Sequence, residues 1–338
     1  MTLNAIWFIL LFVLLGGYAV LDGFDLGVGM LHLVHRNPNT RRIFLNAIAP
    51  VWDGNEVWLL TAGGALFAAF PIVYATVFSG FYLAMMAVLL ALILRGVAIE
   101  FRGKVDSPRW RAIWDTSFGV GSFLLALLFG VAFGNVLRGV PLTSDGTYAG
   151  NFFSLLNPYA VLVGLLVITV FLLHGAIFLL GKTEGEAKNR LICLARNFWV
   201  ATIIMFIVVT GATFVWAPSL LQTAVADPLT WLFAALLLAA IIYIPIGLKS
   251  ARFRTTFFAS STLIASLMFL AALGLFPRLL PCINDPSASL TIYNSSSTPR
   301  TLQVMLVIAL LGMPLVIAYT ILIHRIFRGK VIITTVSY

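Results

Sequence analysis

Charge is what this sequence has least of. Asp, Glu, Lys and Arg make up 10% of its 338 residues, against 61% hydrophobic ones, and the mean hydropathy is +1.04. A soluble domain carries about 25% charged residues. The chain therefore lacks the polar surface to coat a water-facing globule, and it belongs in a bilayer. Cysteine is nearly absent as well. Cys193 and Cys282 are the two present. The topology derived below puts them at opposite membrane faces, which argues against an intrachain disulfide, and neither has metal-ligand spacing to His or Cys. No P-loop, strand-linked GxGxxG, CxxC or nucleophile motif occurs. Gly27-Val28-Gly29 reads as a helix-packing feature. The N-terminus has no basic segment, and its first apolar run continues into Asp22 and Asp25, so no cleavable signal is expected.

What the sequence has is long apolar runs. A membrane span needs about 20 mostly apolar residues. Nine runs qualify, at about 4–33, 50–70, 74–95, 113–137, 158–181, 197–217, 229–248, 256–276 and 302–325. The second and third meet at a tight turn around Pro71. A polar loop with Thr143-Ser144-Asp145-Gly146 joins the fourth and fifth. A stretch rich in Pro, Ser and Asn, Pro281 to Pro299, joins the eighth and ninth. The expected fold is an all-α integral membrane protein with nine transmembrane helices.

The net charge of +9 would suggest nucleic acid, but its distribution does not. Lys and Arg fall in short clusters between the runs. If the spans alternate in direction, 18 of the 21 basic residues lie on one side, and only Arg138, Arg278 and Arg300 on the other. The rule that basic loops stay in the cytoplasm then sets the N-terminus outside and the C-terminus inside. Trp7, Trp52, Trp114, Trp199, Trp216 and Trp231 lie near expected helix ends, as an interfacial aromatic belt does; Trp58 lies deeper. Gly23 and Gly27, Gly130 and Gly134, and the run Ala62-Gly63-Gly64-Ala65 offer small faces for close helix contact.

Four of the twelve acids fall inside spans: Asp22, Asp25, Asp53 and Glu56. Each charged side chain at mid-span costs about 2.5–3.5 kcal/mol on the translocon scale, so all four cannot face lipid ionised. At the helical rise, Asp25 lies roughly 12 Å and Asp22 roughly 17 Å from the cytoplasmic end of the first span, while Asp53 and Glu56 lie roughly 5 and 9 Å into the second. Asp22 and Asp25, and Asp53 and Glu56, are i, i+3 pairs that share a helix face. The four can form a ladder from the cytoplasm toward mid-membrane, as a proton-uptake path does. Structural roles stay open beside this. Asp53 can cap its helix. Asp25 can pair with Arg95, at similar depth, and Arg95 can snorkel. Of the four histidines, His32, His35 and His324 lie at cytoplasmic ends. His174 alone is mid-span, and without a partner ligand at its depth it reads as a hydrogen-bonded helix contact. Met85 and Met86 read as packing. No haem or metal ligand is expected in this chain.

The motifs themselves resemble a known family. Gly23-Phe24-Asp25-Leu26-Gly27-Val28-Gly29-Met30, preceded by Asp22, is similar to the first-helix motif of subunit II of the cytochrome bd quinol oxidases. Trp52-Asp53-Gly54-Asn55-Glu56-Val57-Trp58-Leu59 resembles its second-helix motif. Gly63 to Pro71, Phe78 to Tyr82, Gly130 to Asn135 and Ser289 to Ser297 extend the resemblance over essentially the whole chain. The resemblance implies a single membrane domain, 1–338, of two helix bundles plus one further helix, in the bacterial cytoplasmic membrane. It implies a haem-free subunit paired with a haem-bearing subunit I, which holds two b-type haems, one d-type haem and the quinol site. The complex would oxidise quinol and reduce dioxygen to water with protons from the cytoplasm. No catalytic residue is implied in this chain. A structural quinone occurs in some members, and a small single-helix subunit is a further candidate partner. Asp53 sits at the family position proposed for a proton path between the subunits. Asp22, Asp25 and Arg95 match polar positions linked to assembly or proton access. Glu56 is often Gln in the family, which makes an obligatory role for it doubtful. The competing readings are a secondary transporter or proton channel, for which the paired broken helices are missing, and a pure scaffold whose buried acids serve assembly alone.

Overall fold

The computed structural model describes residues 2–35 and 37–332; Arg36, counted above in the first basic cluster, lies outside them. Within the described residues the fold consists of α1 (Leu3–Val34), α2 (Pro38–Ile48), α3 (Trp52–Ala69), α4 (Pro71–Gly80), α5 (Tyr82–Phe101), α6 (Pro108–Arg138), α7 (Pro158–Leu180), α8 (Gly185–Trp216), α9 (Pro218–Ala226), α10 (Pro228–Lys249), α11 (Phe253–Leu275) and α12 (Pro299–Ile326). Their starts are written in the sequence. Asn37-Pro38, Ser107-Pro108, Asn157-Pro158, Asp227-Pro228 and Thr298-Pro299 each put a side-chain acceptor before a proline. The acceptor satisfies a free backbone N–H of the first turn, and proline at the first helical position has no N–H to leave unmade.

Eight helices (α1, α5, α6, α7, α8, α10, α11 and α12) are each long and apolar enough to cross a membrane. The ninth span rests on α3, which qualifies only together with α4, and the two are bent by 120° at Phe70. The third span differs from its expected range of 74–95. Residues 71–80 form the separate α4, and the span itself is α5, starting at Tyr82. The backbone leaves the helical region at Phe70, Pro71 restarts it, and Phe81 breaks it again. Gly80 is held there by Tyr148, which leaves no room for a side chain. Two spans begin earlier than hydropathy marks them. Ser107-Pro108 starts α6 before its apolar run, and α8 begins at Gly185 with the polar turns carrying Glu186, Lys188 and Arg190.

α1 and α7 lie at the centre. α1 packs on α3, α6, α7 and α11, and α7 packs on α6, α8 and α11. The α1–α7 crossing is backbone to backbone. A Cβ at Gly27 would lie 1.9 Å from the Phe171 carbonyl oxygen, and one at Gly175 would lie 2.6 Å from the carbonyl carbon of Gly27. Gly130 meets Gly164 in the same way between α6 and α7. Close approach gains dispersion where lipid supplies no hydrophobic drive. Gly63 and Gly64 differ. Among the described residues nothing comes within 4 Å of a Cβ placed at either, so this small face of α3 has no close neighbour there.

At the end away from the basic clusters, residues 139–157 and a short antiparallel pair, β1 (Arg278–Leu280) and β2 (Leu290–Thr291), close the bundle, joined through Val140 and Cys282. Asn4 Nδ2 donates to the Ile292 carbonyl at 2.6 Å and to Ser296 Oγ at 2.8 Å, and Trp7 Nε1 donates to the Leu302 carbonyl at 3.0 Å. α12 buries only Leu302 fully. At its other end Lys182 Nζ donates to the Phe327 carbonyl at 2.6 Å, and the Val331 N–H to the Lys182 carbonyl at 3.1 Å.

Gly27→Val drives a branched side chain into the Phe171 backbone, which cannot rotate away. Overpacking costs about 1–3 kcal/mol where neighbours can yield. The expected outcome is a sharp loss of assembled protein in detergent size-exclusion chromatography, and Gly64→Val should fold in the isolated chain far better than Gly27→Val.

Candidate functional site

The polar groups inside the bundle gather where α1, α3 and α5 meet. On α3, the residues Asn55, Trp58, Ala62, Ala65 and Ala69 are buried, the spacing of one helix face. Asp53, Val57, Leu60, Gly64 and Phe67 lie on the other side and are exposed. Glu56 sits between the two faces, half-buried. This rotation separates the two carboxylates that the sequence puts three residues apart.

Arg95, from α5, is completely buried. Its fork closes on Asp22 of α1. Nη1 donates to Oδ2 at 3.0 Å and Nη2 to Oδ1 at 2.5 Å, with both side chains shielded from solvent. Two planar groups matched in this way form the strongest kind of protein ion pair. The expected pairing of Arg95 with Asp25, or its snorkelling, gives way to a closed pair with Asp22: the guanidinium is fully buried and its fork is filled by the acid one turn earlier on α1. Asp25 Oδ2 lies 3.9 Å from Nη2, and Glu56 Oε2 lies 3.8 Å from Nη1. Asp25 takes its direct hydrogen bond from Asn55 Nδ2 at 2.8 Å, and Asn55 also donates to the Leu21 carbonyl at 3.2 Å. Asn55 stands in the second-helix motif but escapes a search restricted to charged residues. It is the link that fastens α3 to α1. Asp25 Oδ1, Arg95 Nε, Tyr18 Oη and Trp58 Nε1 are buried in the same region without a hydrogen-bond partner among the described residues.

Asp53 stands apart from this group. α3 is capped at Val51 with no side-chain bond, so Asp53 does not serve as the cap. Of the four acids, Asp22 and Asp25 are fully buried, Glu56 is at the margin and Asp53 is on the outer face of α3.

A second charged centre lies toward the basic end. Asp115 of α6 is buried and gathers three donors: His32 Nε2 at 2.6 Å, Arg102 Nε at 2.5 Å and Arg41 Nη1 at 3.1 Å. Arg41 Nε also holds the His35 carbonyl at 2.6 Å. The carboxylate thus fastens α1, α2 and the end of α5 to α6. From the sequence Asp115 reads as an acid at a helix end. Two of the three basic residues around it, Arg41 and His32, come from 74 and 83 positions away, and only the fold brings them to Arg102, 13 positions away.

His174 bridges three helices. Its Nε2 bonds the Val20 carbonyl at 3.0 Å, Nδ1 meets Ser260 Oγ at 2.7 Å, and the ring stacks on Phe257 with centroids 4.7 Å apart. With both nitrogens engaged, the one mid-span imidazole does not fit an axial haem ligand. Among the described residues no group of three or more His, Cys, Asp and Glu could hold a metal ion.

Removing one partner of a buried pair leaves a charge without compensation, at about 3–5 kcal/mol. Asp115→Ala strands Arg102 and His32 together. The expected outcome is a purified protein that unfolds at markedly lower temperature, measured by tryptophan fluorescence during heating.

The sequence model of the family described as "Cytochrome bd terminal oxidase subunit II" matches residues 3–327. The chain is 40% identical to the "Probable cytochrome oxidase subunit 2" of Haemophilus influenzae over 97% of this chain and 95% of that protein. It is 39% identical to the "Cytochrome bd-I ubiquinol oxidase subunit 2" of Escherichia coli K12, over 94% and 92%. It is 36% identical to the "Cytochrome bd ubiquinol oxidase subunit 2" of Bacillus subtilis, over 98% and 97%. Its fold matches a chain of the bd oxidase of Geobacillus thermodenitrificans with a TM-score of 0.80 at 20% identity, covering 97% of this chain and 99% of the other.

Proposed function

The chain belongs to the cytochrome bd terminal oxidase subunit II family, and on that premise we propose that it is a haem-free subunit that shapes proton delivery to the oxygen-reducing centre of its partner. Several parts follow from membership. The chain is a multi-pass membrane protein of the bacterial cytoplasmic membrane and a subunit of a quinol oxidase, in a complex that contains haem and a subunit I. The finer assignment is our reading. The two b-type haems and the d-type haem lie in subunit I, quinol is oxidised there, and dioxygen is reduced there to water. Subunit II supplies scaffold and a polar route. A small single-helix subunit and a structural quinone are further candidate companions of the complex.

The observation that carries this reading is the position of Asp53. It is an exposed acid on the outer face of α3, which also presents Val57, Leu60 and Gly64, and among the described residues nothing comes within 4 Å of a Cβ placed at Gly64. A carboxylate there is tolerable only against water or a protein partner. Subunit I docked on this face would seal Val57, Leu60, Gly64 and Phe67 and leave Asp53 at the rim of the joint. With the basic end in the cytoplasm, as the 18-to-3 split of Lys and Arg directs, Asp53 lies near the side from which protons must come. Asp22 and Arg95 have a different task. Their closed fork holds a fixed neutral pair that fastens α5 to α1. Asp25 and Glu56 stand beside it with weaker ties.

Two measurements test this. Asp53→Asn should lower oxygen consumption of the purified complex several-fold, while the haem spectrum and the yield of complex stay intact. Loss of haem together with loss of complex would make Asp53 a docking residue alone. Glu56→Gln should cost much less activity than Asp53→Asn. For orientation, a reporter active only in the cytoplasm should be active when fused to the C-terminus; activity of a periplasmic reporter there would reverse the topology.

A further inference from the structure

The group around Arg95 contains more acid than base. Asp22, Asp25 and Glu56 surround one guanidinium, and Asp22 takes both outer nitrogens of its fork. That pair is neutral as a unit. Asp25 then has no unspent cation. Its side chain is fully buried, its Oδ2 is held by a neutral amide donor at 2.8 Å, and its Oδ1 has no hydrogen-bond partner among the described residues. An ionised carboxylate in that position would be a second buried negative charge beside the first, which low-dielectric surroundings penalise heavily. Other groups face the site from the elements packed around it. Tyr18 comes from α1 and Trp58 Nε1 from the inner face of α3, while Asp53 stays on the outer face of α3. His324 of α12 lines a small cleft with Asn55, and its Nδ1 bonds the Thr320 carbonyl. None of these adds a formal positive charge at Asp25 while His324 is neutral.

We propose that Asp25 is a proton-holding carboxylic acid inside the membrane, which exchanges its proton with the exterior of the subunit through Glu56 across the face of Arg95. The geometry gives the two acids different access. Asp25 lies on the Nη2 side of the guanidinium and is sealed, whereas Glu56 lies on the Nη1 side and is partly open, with 22% of its side chain exposed. In the transfer, the O–H bond of Asp25 breaks, a water molecule relays the proton, and an O–H bond forms on Glu56. The negative charge moves from Glu56 to Asp25, and Arg95 stays within reach of both positions, so the charge is never far from a cation. Asn55 Nδ2 donates to Asp25 Oδ2 in either state and holds the carboxyl in place. Glu56 is an exchange residue here, not an obligatory member of the turnover path, which is compatible with Gln at that position.

This inference extends the proposed proton role, and its test is separable from it. Infrared spectroscopy of the purified complex, as a difference between alkaline and neutral samples, should contain a protonated-carboxyl carbonyl band. Transfer to heavy water should shift that band, and Asp25→Asn should remove it. Glu56→Gln should keep the band and slow its hydrogen–deuterium exchange at least several-fold. Where Asp25→Asn fails to assemble, Asn55→Ala serves instead: loss of the amide donor should move the band to higher frequency. A spectrum without a carboxyl band that responds to Asp25→Asn or Asn55→Ala would overturn the proposal, and so would an exchange rate unchanged in Glu56→Gln. Asp53→Asn separates the two ideas. Slowed oxygen consumption without an Asp25 band leaves the proton route standing and removes this site. An Asp25 band with unimpaired Asp53→Asn turnover does the reverse.

Discussion

A guanidinium buried in a membrane bundle sets the terms for everything near it. Arg95 cannot give up its charge at any ordinary pH, so the structure must bring an anion to it. Asp22 does so with two parallel hydrogen bonds. Because Asp22 belongs to α1 and Arg95 to α5, this one contact fixes the relative height and rotation of two helices that are far apart in the chain. α3 is then placed by Asn55 on Asp25, one turn along the same face of α1. The polar contacts specify register, and small residues permit the approach that makes the contacts possible. Neither suffices alone. Apolar packing in lipid is tolerant of sliding, and a buried charge tolerates no misplacement.

The same division of labour recurs at the basic end, with the signs exchanged. There one carboxylate, Asp115, is surrounded by Arg41, Arg102 and His32. The two centres share α1, which carries Asp22 and Asp25 on one stretch and His32 two turns farther on. α1 therefore acts as the reference rod of the bundle. α7 is its apolar counterpart, joined to it by the Gly27–Gly175 contact and by His174 on the Val20 carbonyl.

Much of this was legible in the sequence. Nine apolar runs, the asymmetry of Lys and Arg and the cap–proline pairs give the helices and most of their starts. Asp22, Asp25, Glu56 and Arg95 are recognisable as a set because charges inside apolar runs are costly. What the sequence withholds is rotation and distance. A three-residue spacing puts Asp53 and Glu56 on neighbouring positions of α3, yet the axis of burial passes between them, so one points outward and the other toward Arg95. Asp115 was hidden for a related reason: two of its three partners, His32 and Arg41, are remote in sequence, and a carboxylate near a helix end looks ordinary until the neighbours are known. The short α4 was absorbed into an apolar run because hydropathy does not register a bend. The unpartnered Gly63-Gly64 face shows the limit of a small-residue stripe, which marks a surface able to approach another but does not say whose.

The bond from Asn4 to the Ile292 carbonyl joins residues 288 positions apart, and the one from Trp7 to Leu302 joins residues 295 apart. A ribosome delivers α1 well before the segment that closes its N-terminal end. Until residues 292–302 have been made, the first turns of α1 lack these polar partners for Asn4 and Trp7. The first helix is thus made long before it is finished, and the bundle is locked at this end only after most of the chain has been made.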